Sequence, residues 1–425
     1  MAFPVQVSSE IAPLRQVIVH CPDKGISRIS PKHSDELLFD DIVYLPQMQE
    51  EHRVFTRVLS AFLGAENVLD VSDLLREALD ADPGARAELI ERICDYEELP
   101  QSARRFLEAL PNTALAGVLI EGDYELEDYV FFDPIPNFIF TRDIAVTVNQ
   151  HVIITKAAKE ARYRENYLSQ FIFSTHPRFA ALQQHKRLIN MNDTNRFPPS
   201  RRGEHVSVEG GDMMMIHPDY LLIGCSERSS RHGIQSLTQA LFEQDVVNQV
   251  VQVNIPSDRS FMHIDTIFTQ IDQHHLVCYK PLVVDGISST VEVLRKNGSV
   301  QHYASVKAFF QEEINPDMEF IYSGKGISPY QEREQWTDGC NLLTIKPGVA
   351  LTYDRNPKTE EAFREAGYQI THALDLLTAL DRGVIRPEQV ERTIITLPSG
   401  ELSRARGGSH CMSCPIWRSQ GMMGG

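Results

Sequence analysis

No apolar run in the 425-residue chain approaches the roughly 18 residues that a membrane-spanning helix needs. Positive charge is also scarce. There are 41 lysines and arginines against 58 aspartates and glutamates, a net charge of −17 at pH 7. Nucleic acid and anionic membranes both select a basic face, so neither is expected as the main partner. A cationic small molecule suits the charge better, although acidity also simply aids solubility. The segment MAFPVQVSSEIAPLRQ lacks the basic stretch followed by an apolar one that marks a secretion signal, and the expectation is a cytoplasmic protein. Cysteines number seven. An odd count in a long chain without such a signal does not read as a disulfide framework. Cys21, Cys94, Cys225 and Cys278 sit among apolar neighbours and read as small core residues. Nothing is low in complexity, and no Pro/Ser-rich linker divides the chain. The length allows one large domain or two to three ordinary ones, and 42% hydrophobic with 23% charged residues is the balance of a globular protein.

What is present is a recurring pattern. LRQVIVHCP from Leu14, QHVIITKAA from Gln150, DYLLIGCSER from Asp219, HHLVCYKPL from His274 and PGVALTYDRN from Pro347 are apolar runs of strand length ending in polar or turn residues. Amphipathic segments such as GIQSLTQALFEQ from Gly233 and TEEAFREAGY from Thr359 follow most of them at a distance. The spacings between runs are similar except the first, which is about twice as long. Five strand/helix units with an insertion in the first would give that spacing. Between Val71 and Leu119 the strand pattern disappears. VSDLLREAL, GARAELIERICDYEEL and QSARRFLEAL carry apolar residues at i, i+3 and i+4. Ser72 and Ser102 stand where N-caps are expected, and Pro83–Gly84 and Pro100 punctuate the segments. A helical subdomain over 71–119 is therefore expected, inserted into an α/β body made of 1–70 and 120–425.

The segment RGGSHCMSCPIWR, from Arg406 to Arg418, has two cysteines three positions apart. As a redox pair it is misplaced, since such a motif opens a helix early in a βαβ unit. As a zinc half-site it lacks a second CxxC or a histidine pair. A nucleophile needs a base and acids from elsewhere. His410 adjoins Cys411, but neighbours on an extended chain point to opposite faces, which makes it a poor base. FMHIDTIF offers His263 and Asp265, which share one face if the segment is a strand. PNFIFTRD ends an apolar run with Asp143, where a strand would deliver it to a site. A plain strand-end turn residue is the ordinary alternative. SVEGGDMMMI places Glu209 and Asp212 around two glycines that permit a tight turn or a close backbone approach. One cysteine, one histidine and several carboxylates at strand edges suit a thiol acting on a planar cation such as a guanidinium, whose N–H fork two carboxylates can hold.

Nearly the full length resembles the arginine deiminases, guanidine-modifying enzymes with a five-bladed α/β propeller. The matching blocks include LRQVIVHCP, ELLFDD from Glu36, EEHRVF from Glu50, PNFIFTRD, ARYRE from Ala161, HPRFA from His176, EGGD, GCSERSS, MHIDTIFT, REQWTDGCN from Arg333, GVALTYDRN and RGGSHCMSCP. The resemblance implies a pseudo-fivefold α/β propeller with the helical insertion. It implies Cys411 as nucleophile, His263 as general acid/base, Asp143 and Asp265 as guanidinium-holding carboxylates and Glu209 as support for the histidine. It implies Arg162, Arg228 and Arg406 around the substrate α-carboxylate, Asn137 and Phe140 as contacts to the substrate, and Asp212 in a supporting place beside it. It further implies L-arginine as substrate, L-citrulline and ammonia as products, a homo-oligomer, and neither metal nor organic cofactor. Two departures stand out. Ser403 and Ala405 replace family glycines before Arg406, and alanine disfavours φ > 0. The loop between Leu188 and His205 is long and reads as a surface excursion.

The chemistry asks for a thiolate because guanidinium carbon is a poor electrophile, and covalent catalysis divides the reaction into two easier steps. A free thiol has a pKa of about 8.5. Carboxylates at the site should raise it, and a bound guanidinium should lower it again. The expectation is a protonated thiol that substrate activates. Rival readings are an amidinotransferase or methylarginine hydrolase with the same groups, a non-catalytic arginine sensor, and a redox or zinc protein.

Overall fold

The computed structural model describes residues 4–32, 36–39, 41–124 and 129–419; Asp40 of the ELLFDD block lies outside them. One arrangement recurs in five sheets: an antiparallel hairpin whose second strand pairs in parallel with a third. The five runs expected to be strands are the second strands: Leu14–Val19, His151–Ile154, Tyr220–Cys225, His275–Cys278 and Val349–Tyr353. Their antiparallel partners are Cys414–Arg418, Ala145–Val148, Met213–His217, Phe268–Gln270 and Leu343–Lys346. Their parallel partners are Val68–Asp70, Leu188–Asn190, Gln249–Asn254, Glu319–Tyr322 and Thr393–Leu397. Strands Thr290–Arg295 and Val300–Tyr303 extend the third sheet, and Gln369–His372 edges the fifth. The second strands are apolar on both faces because each is flanked on both sides and covered above and below, as parallel pairing requires; all four residues of His275–Cys278 are buried. The first unit is joined from the two ends of the chain, with Ile18 opposite Cys414.

After the first unit's strands come four consecutive helices, Val71–Ala81, Pro83–Tyr96, Gln101–Ala109 and Asn112–Glu121. Their apolar faces, with Leu75, Ile90, Leu107 and Leu119, share a core with Leu168 and Ile172 of helix Tyr163–Thr175. The caps differ from expectation. Asp70 caps the first helix, accepting from Ser72 N, so Ser72 lies inside the first turn. Pro100 holds the N-cap position of the third, with Ser102 likewise inside. An aspartate just before a helix satisfies an orphan N–H and complements the positive end of the helix. The segments from Gly233 and Thr359 lie in helices Arg231–Glu243 and Pro357–Glu365.

Two further expectations change. Cys94 and Cys278 are buried, but Cys21 is exposed and Cys225 only half-buried, because both lie where a strand runs out into a turn. The long loop after Leu188 is more than a surface excursion. It opens with the strand Leu188–Asn190 and plants Met191, Phe197 and Val206 in the core beside Ile153 and Leu221.

Candidate active site

In each unit the chain makes a tight turn immediately before the hairpin's first strand. These turns are Thr141–Asp143, Gly210–Asp212, Ile264–Thr266, residues 337–340 and residues 409–412. Asp143 and Asp265 sit in such turns, and His263 caps one. They therefore stand before strands, whereas the sequence had placed Asp143 at a strand's end and His263 and Asp265 along a strand. A turn of this kind exposes side chains at the sheet end while leaving the following strand free to pair.

The cleft where these turns meet is lined by Asn137, Phe140, Asp143, Arg162, Arg228, His263, Arg406 and Cys411, with Leu38, Met262, Thr266, Asp338, Ala405 and Gly407 completing it. Glu209, Asp265 and Asp212 stand behind the lining. Glu209 Oε2 is 2.9 Å from His263 Nε2. Asp212 is wholly buried, its Oδ1 accepting from Ile264 N at 2.9 Å and its Oδ2 from Ser226 Oγ at 2.6 Å. It ties the third unit to the fourth and acts on the cleft only through its charge on His263.

The two glycines before Asp212 are steric necessities. A Cβ on Gly211 would fall 2.5 Å from His263 Nδ1, and one on Gly210 1.8 Å from the Arg142 carbonyl oxygen. Burial alone would lower the His263 pKa, but Asp143, Glu209 and Asp212 outweigh it and push it up to about 10. Burial works against Asp143 too, yet His263 and Arg162 hold its carboxyl down at about 2. Asp143 Oδ1 accepts from Gly211 N at 2.9 Å and Oδ2 from Arg162 at 2.7 Å. Arg162 is 4% exposed, so it is no surface ion pair. It also bonds Glu165 at 2.8 Å and Glu209 at 3.4 Å. Oxygens of Asp143 and Glu209 and a nitrogen of His263 lie within 4.8 Å of one another, a metal-competent spacing, and the cation seated among these carboxylates is the Arg162 guanidinium. Arg164, two residues on, turns away to the Leu119 carbonyl and Glu97.

Cys411 is buried, and its sulfur lies 3.4 Å from Asp265 Oδ2. Burial first, then Asp265, Asp338 and Asp143, push the thiol well above its ordinary range. The Asn341 carboxamide grips the turn that carries Cys411. Its Oδ1 accepts from His410 N at 3.1 Å and Cys411 N at 3.2 Å, and its Nδ2 donates to Cys411 Sγ at 3.2 Å and to the Asp265 carbonyl at 3.1 Å. Gly408 must lack a Cβ, which would lie 2.6 Å from Asn341 Oδ1, and Gly407 likewise for Phe140, at 2.4 Å. Asn341 and Asp338 came with the REQWTDGCN block, but no spacing marked either as part of the site. Asp338 Oδ2 accepts from Gly407 N at 3.2 Å, and its carboxyl is raised to about 7, by burial against the pull of Arg406.

Of the other two arginines expected around the substrate α-carboxylate, Arg228 is 7% exposed and has no ion-pair partner among the described residues. Arg406 lays its guanidinium 3.4 Å above the Trp336 ring. The left-handed backbone falls on Arg406 itself, at φ 59°, with Ala405 inside the preceding turn Leu402–Ala405, so alanine at 405 meets no demand for φ > 0. Ser403 Oγ donates to the Ser399 carbonyl at 2.6 Å and pins that turn. Asn137 donates to the Leu37 carbonyl at 2.7 Å. Cys414 is free, buried, and within 3.1 Å of the Ala145 carbonyl.

A family model, arginine deiminase, matches residues 35–119 and 119–418. An arginine deiminase of Bacillus cytotoxicus is 32% identical, the alignment covering 98% of this chain and 99% of that one. One of Limosilactobacillus reuteri is 33% identical with the same coverage. Among solved structures, SxtG, an amidinotransferase of Microseira wollei from the saxitoxin biosynthetic pathway, matches with a TM-score of 0.52 over 100% of this chain and 99% of that one. At 13% identity that is a likeness of α/β fold alone. With the family matched along almost its whole length and relatives above 30% identity over nearly all of both chains, this chain belongs to the arginine deiminase family.

Proposed function

We propose that the chain hydrolyses L-arginine to L-citrulline and ammonia through a covalent thiouronium on Cys411, as the first step of arginine breakdown in the cytoplasm. The observation that carries the reading is the unsatisfied acceptor beside the thiol. Asp265 Oδ1 is buried without a partner among the described residues, while Oδ2 faces Cys411 Sγ. A buried acceptor left open is costly unless a ligand donates to it, and a guanidinium N–H placed there brings its carbon to the sulfur.

With the guanidinium bound beside it, the Cys411 thiol gives its proton to solvent, and the thiolate attacks the guanidinium carbon. His263, carrying a proton at neutral pH, gives it to the departing nitrogen, and ammonia leaves. The same imidazole then takes a proton from water as the oxygen adds to the thiouronium carbon, and the C–S bond breaks while the added hydroxyl's proton passes to the departing sulfur, releasing citrulline and restoring the thiol and the protonated His263. Glu209 holds His263 throughout. Substrate displaces Arg162 from Asp143 Oδ2, and Glu165 and Glu209 retain the arginine. Arg228, a buried cation with no ion-pair partner among the described residues, takes the α-carboxylate, with Arg406 closing beside it. Asn137 and Phe140 border the chain of the substrate. Agmatine, lacking the carboxylate, leaves Arg228 uncompensated and is a poor substrate.

The five sheets form a pseudo-fivefold propeller with the catalytic turns at its centre, and residues 71–119 are a helical insertion in the body of 1–70 and 120–425. Neighbouring contacts around the ring support this. The turn Thr141–Asp143 touches Gly210–Asp212, which touches Ile264–Thr266; strand Cys414–Arg418 touches Ala145–Val148, and Leu14–Val19 touches Leu343–Lys346. Thr269 Oγ1 donates to the Cys340 carbonyl and joins the fourth unit to the fifth.

The test is an assay of purified protein with L-arginine beside Cys411→Ala. Equal amounts of citrulline and ammonia from the wild type, and none from the variant, are expected. A wild type that binds arginine without releasing citrulline overturns the reading and favours a sensor.

A further inference from the structure

The histidine beside the nucleophile is badly placed to be its base, yet it is buried and has a partner on each ring nitrogen. His410 Nδ1 is 2.8 Å from Asp265 Oδ2, and Nε2 is 2.8 Å from a terminal nitrogen of Arg142. Arg142 faces Glu10 through two 3.3 Å contacts. All four residues are nine-tenths or more buried. The result is one chain of contacts, Glu10–Arg142–His410–Asp265–Cys411, that starts beneath the site and ends at the sulfur.

Donor chemistry fixes its direction. Arginine has donors only, so Nε2 accepts from Arg142 and Nδ1 carries the proton. Nδ1–H then donates to Asp265 Oδ2, the oxygen that also receives the Cys411 S–H. Two donors on one oxygen fix the carboxylate's rotation and leave Oδ1 as its free oxygen.

We propose that His410 is a positioning residue, held by the Glu10–Arg142 pair, that orients Asp265 so that one oxygen serves the thiol and the other the substrate guanidinium. This rests on the reading of the site given above. Without the Nδ1–H donor, Oδ2 is left with only the weak S–H, the carboxylate can turn, and its undiluted charge holds the thiol proton more tightly. The other charged and titratable groups around this chain are Asp143 and Asp338 on the cleft side and Arg418 and Cys414 behind it. None of them donates to Asp265 among the described residues.

The experiment compares His410→Asn, His410→Leu and Glu10→Gln with the wild type. Asparagine keeps an N–H near the Nδ1 position, and leucine removes it. Three quantities are read: KM and kcat for L-arginine, the pH inflection of Cys411 alkylation by iodoacetamide without substrate, and Tm. In His410→Leu, KM is expected to rise about 10- to 100-fold, the loss expected for a hydrogen bond to a charged group, with the alkylation inflection at higher pH. His410→Asn should recover both, and Glu10→Gln should move both part of the way. Wild-type KM and inflection in His410→Leu overturn the proposal. So does failure of asparagine to rescue them, whatever happens to Tm, because that describes packing alone. If His410→Leu does not fold, an unmoved inflection in Glu10→Gln overturns it. Alkylation needs no substrate, so a wild type that makes no citrulline sinks the functional reading while the inflection still decides the role of His410.

Discussion

Asn341→Asp isolates what the Asn341 carboxamide does for the thiol. The change preserves shape, and Oδ1 continues to accept from the His410 and Cys411 amides at 3.1 and 3.2 Å. It replaces Nδ2, which lies 3.2 Å from Cys411 Sγ, with an oxygen. A donor that would stabilise a thiolate is lost, worth about 1.5–3 kcal/mol, or roughly 10- to 150-fold in thiolate population. A further negative charge then faces a thiol that burial, Asp265, Asp338 and Asp143 already hold well above its ordinary range, and the effect has the same sign. Alkylation by iodoacetamide followed against pH reads the thiolate directly, and kcat/KM for L-arginine reads its use in catalysis. Both should fall about 100-fold or more at neutral pH. Asn341→Ala, which removes all four contacts, serves as the structural control and should lower Tm further than Asn341→Asp. If Asn341→Asp alkylates as fast as the wild type, the carboxamide's N–H does not act on the sulfur and the reasoning is wrong.

Gly210→Ala would drive a Cβ to 1.8 Å from the Arg142 carbonyl oxygen, and that backbone is anchored by Arg142 N donating to the Cys411 carbonyl. A loss of about 3 kcal/mol is expected, visible as a lower urea midpoint together with lost activity. Cys414→Ser keeps a donor for the Ala145 carbonyl and should retain most activity; a complete loss would revive the redox-pair reading. His20 is buried 3.0 Å from Asp23 and 3.8 Å from Asp70. Burial opposes its charge, but the two carboxylates win and push it up to about 10. A folded pKa above the unfolded value of about 6.5 gives stability that is complete below that pH and is lost as pH rises through 10. Wild-type Tm should therefore fall between about pH 6 and 10 more steeply than that of His20→Gln, and parallel curves would refute the assignment.

The five second strands could be read from the sequence because each is apolar on both faces, a pattern only a doubly flanked strand needs. Their antiparallel partners were less visible, being short and opening on the turns that hold the chemistry. PNFIFTRD shows the difficulty. Its apolar residues read as a strand delivering Asp143 at its end, whereas Pro136–Ile139 and Thr141–Asp143 are two tight turns and the strand begins at Ala145. Both caps lie two residues before the serines: Asp70 accepts from Ser72 N and so takes the first, and Pro100, which offers no side-chain acceptor, holds the second. Cys411, His263 and the carboxylates carry obvious chemistry and were marked from the sequence, and Cys411, His263 and Asp143 meet at the cleft. Asn341 escaped because an amide has no titration and no spacing to give it away; its place shows only in its contacts with His410, Cys411 and Asp265.

On the function proposed above, the charges at the cleft make the substrate take part in its own activation. Asp143 is matched by Arg162, and Glu209 by both His263 and Arg162. What stands nearest the sulfur without such a match is acidic. Asp265 Oδ1 is open, and Asp338 has its carboxyl raised to about 7 by burial and by Asp265, with Arg406 pulling the other way. The cation of His263 is tied down by Glu209 at 2.9 Å, and the guanidinium of Arg406 is stacked on Trp336. A thiol in that field keeps its proton. A guanidinium entering beside Asp265 supplies the missing positive charge at the sulfur, and the same interaction that recognises the substrate favours the thiolate. On that proposal binding and activation are one event, and a neutral isostere of arginine should gain neither.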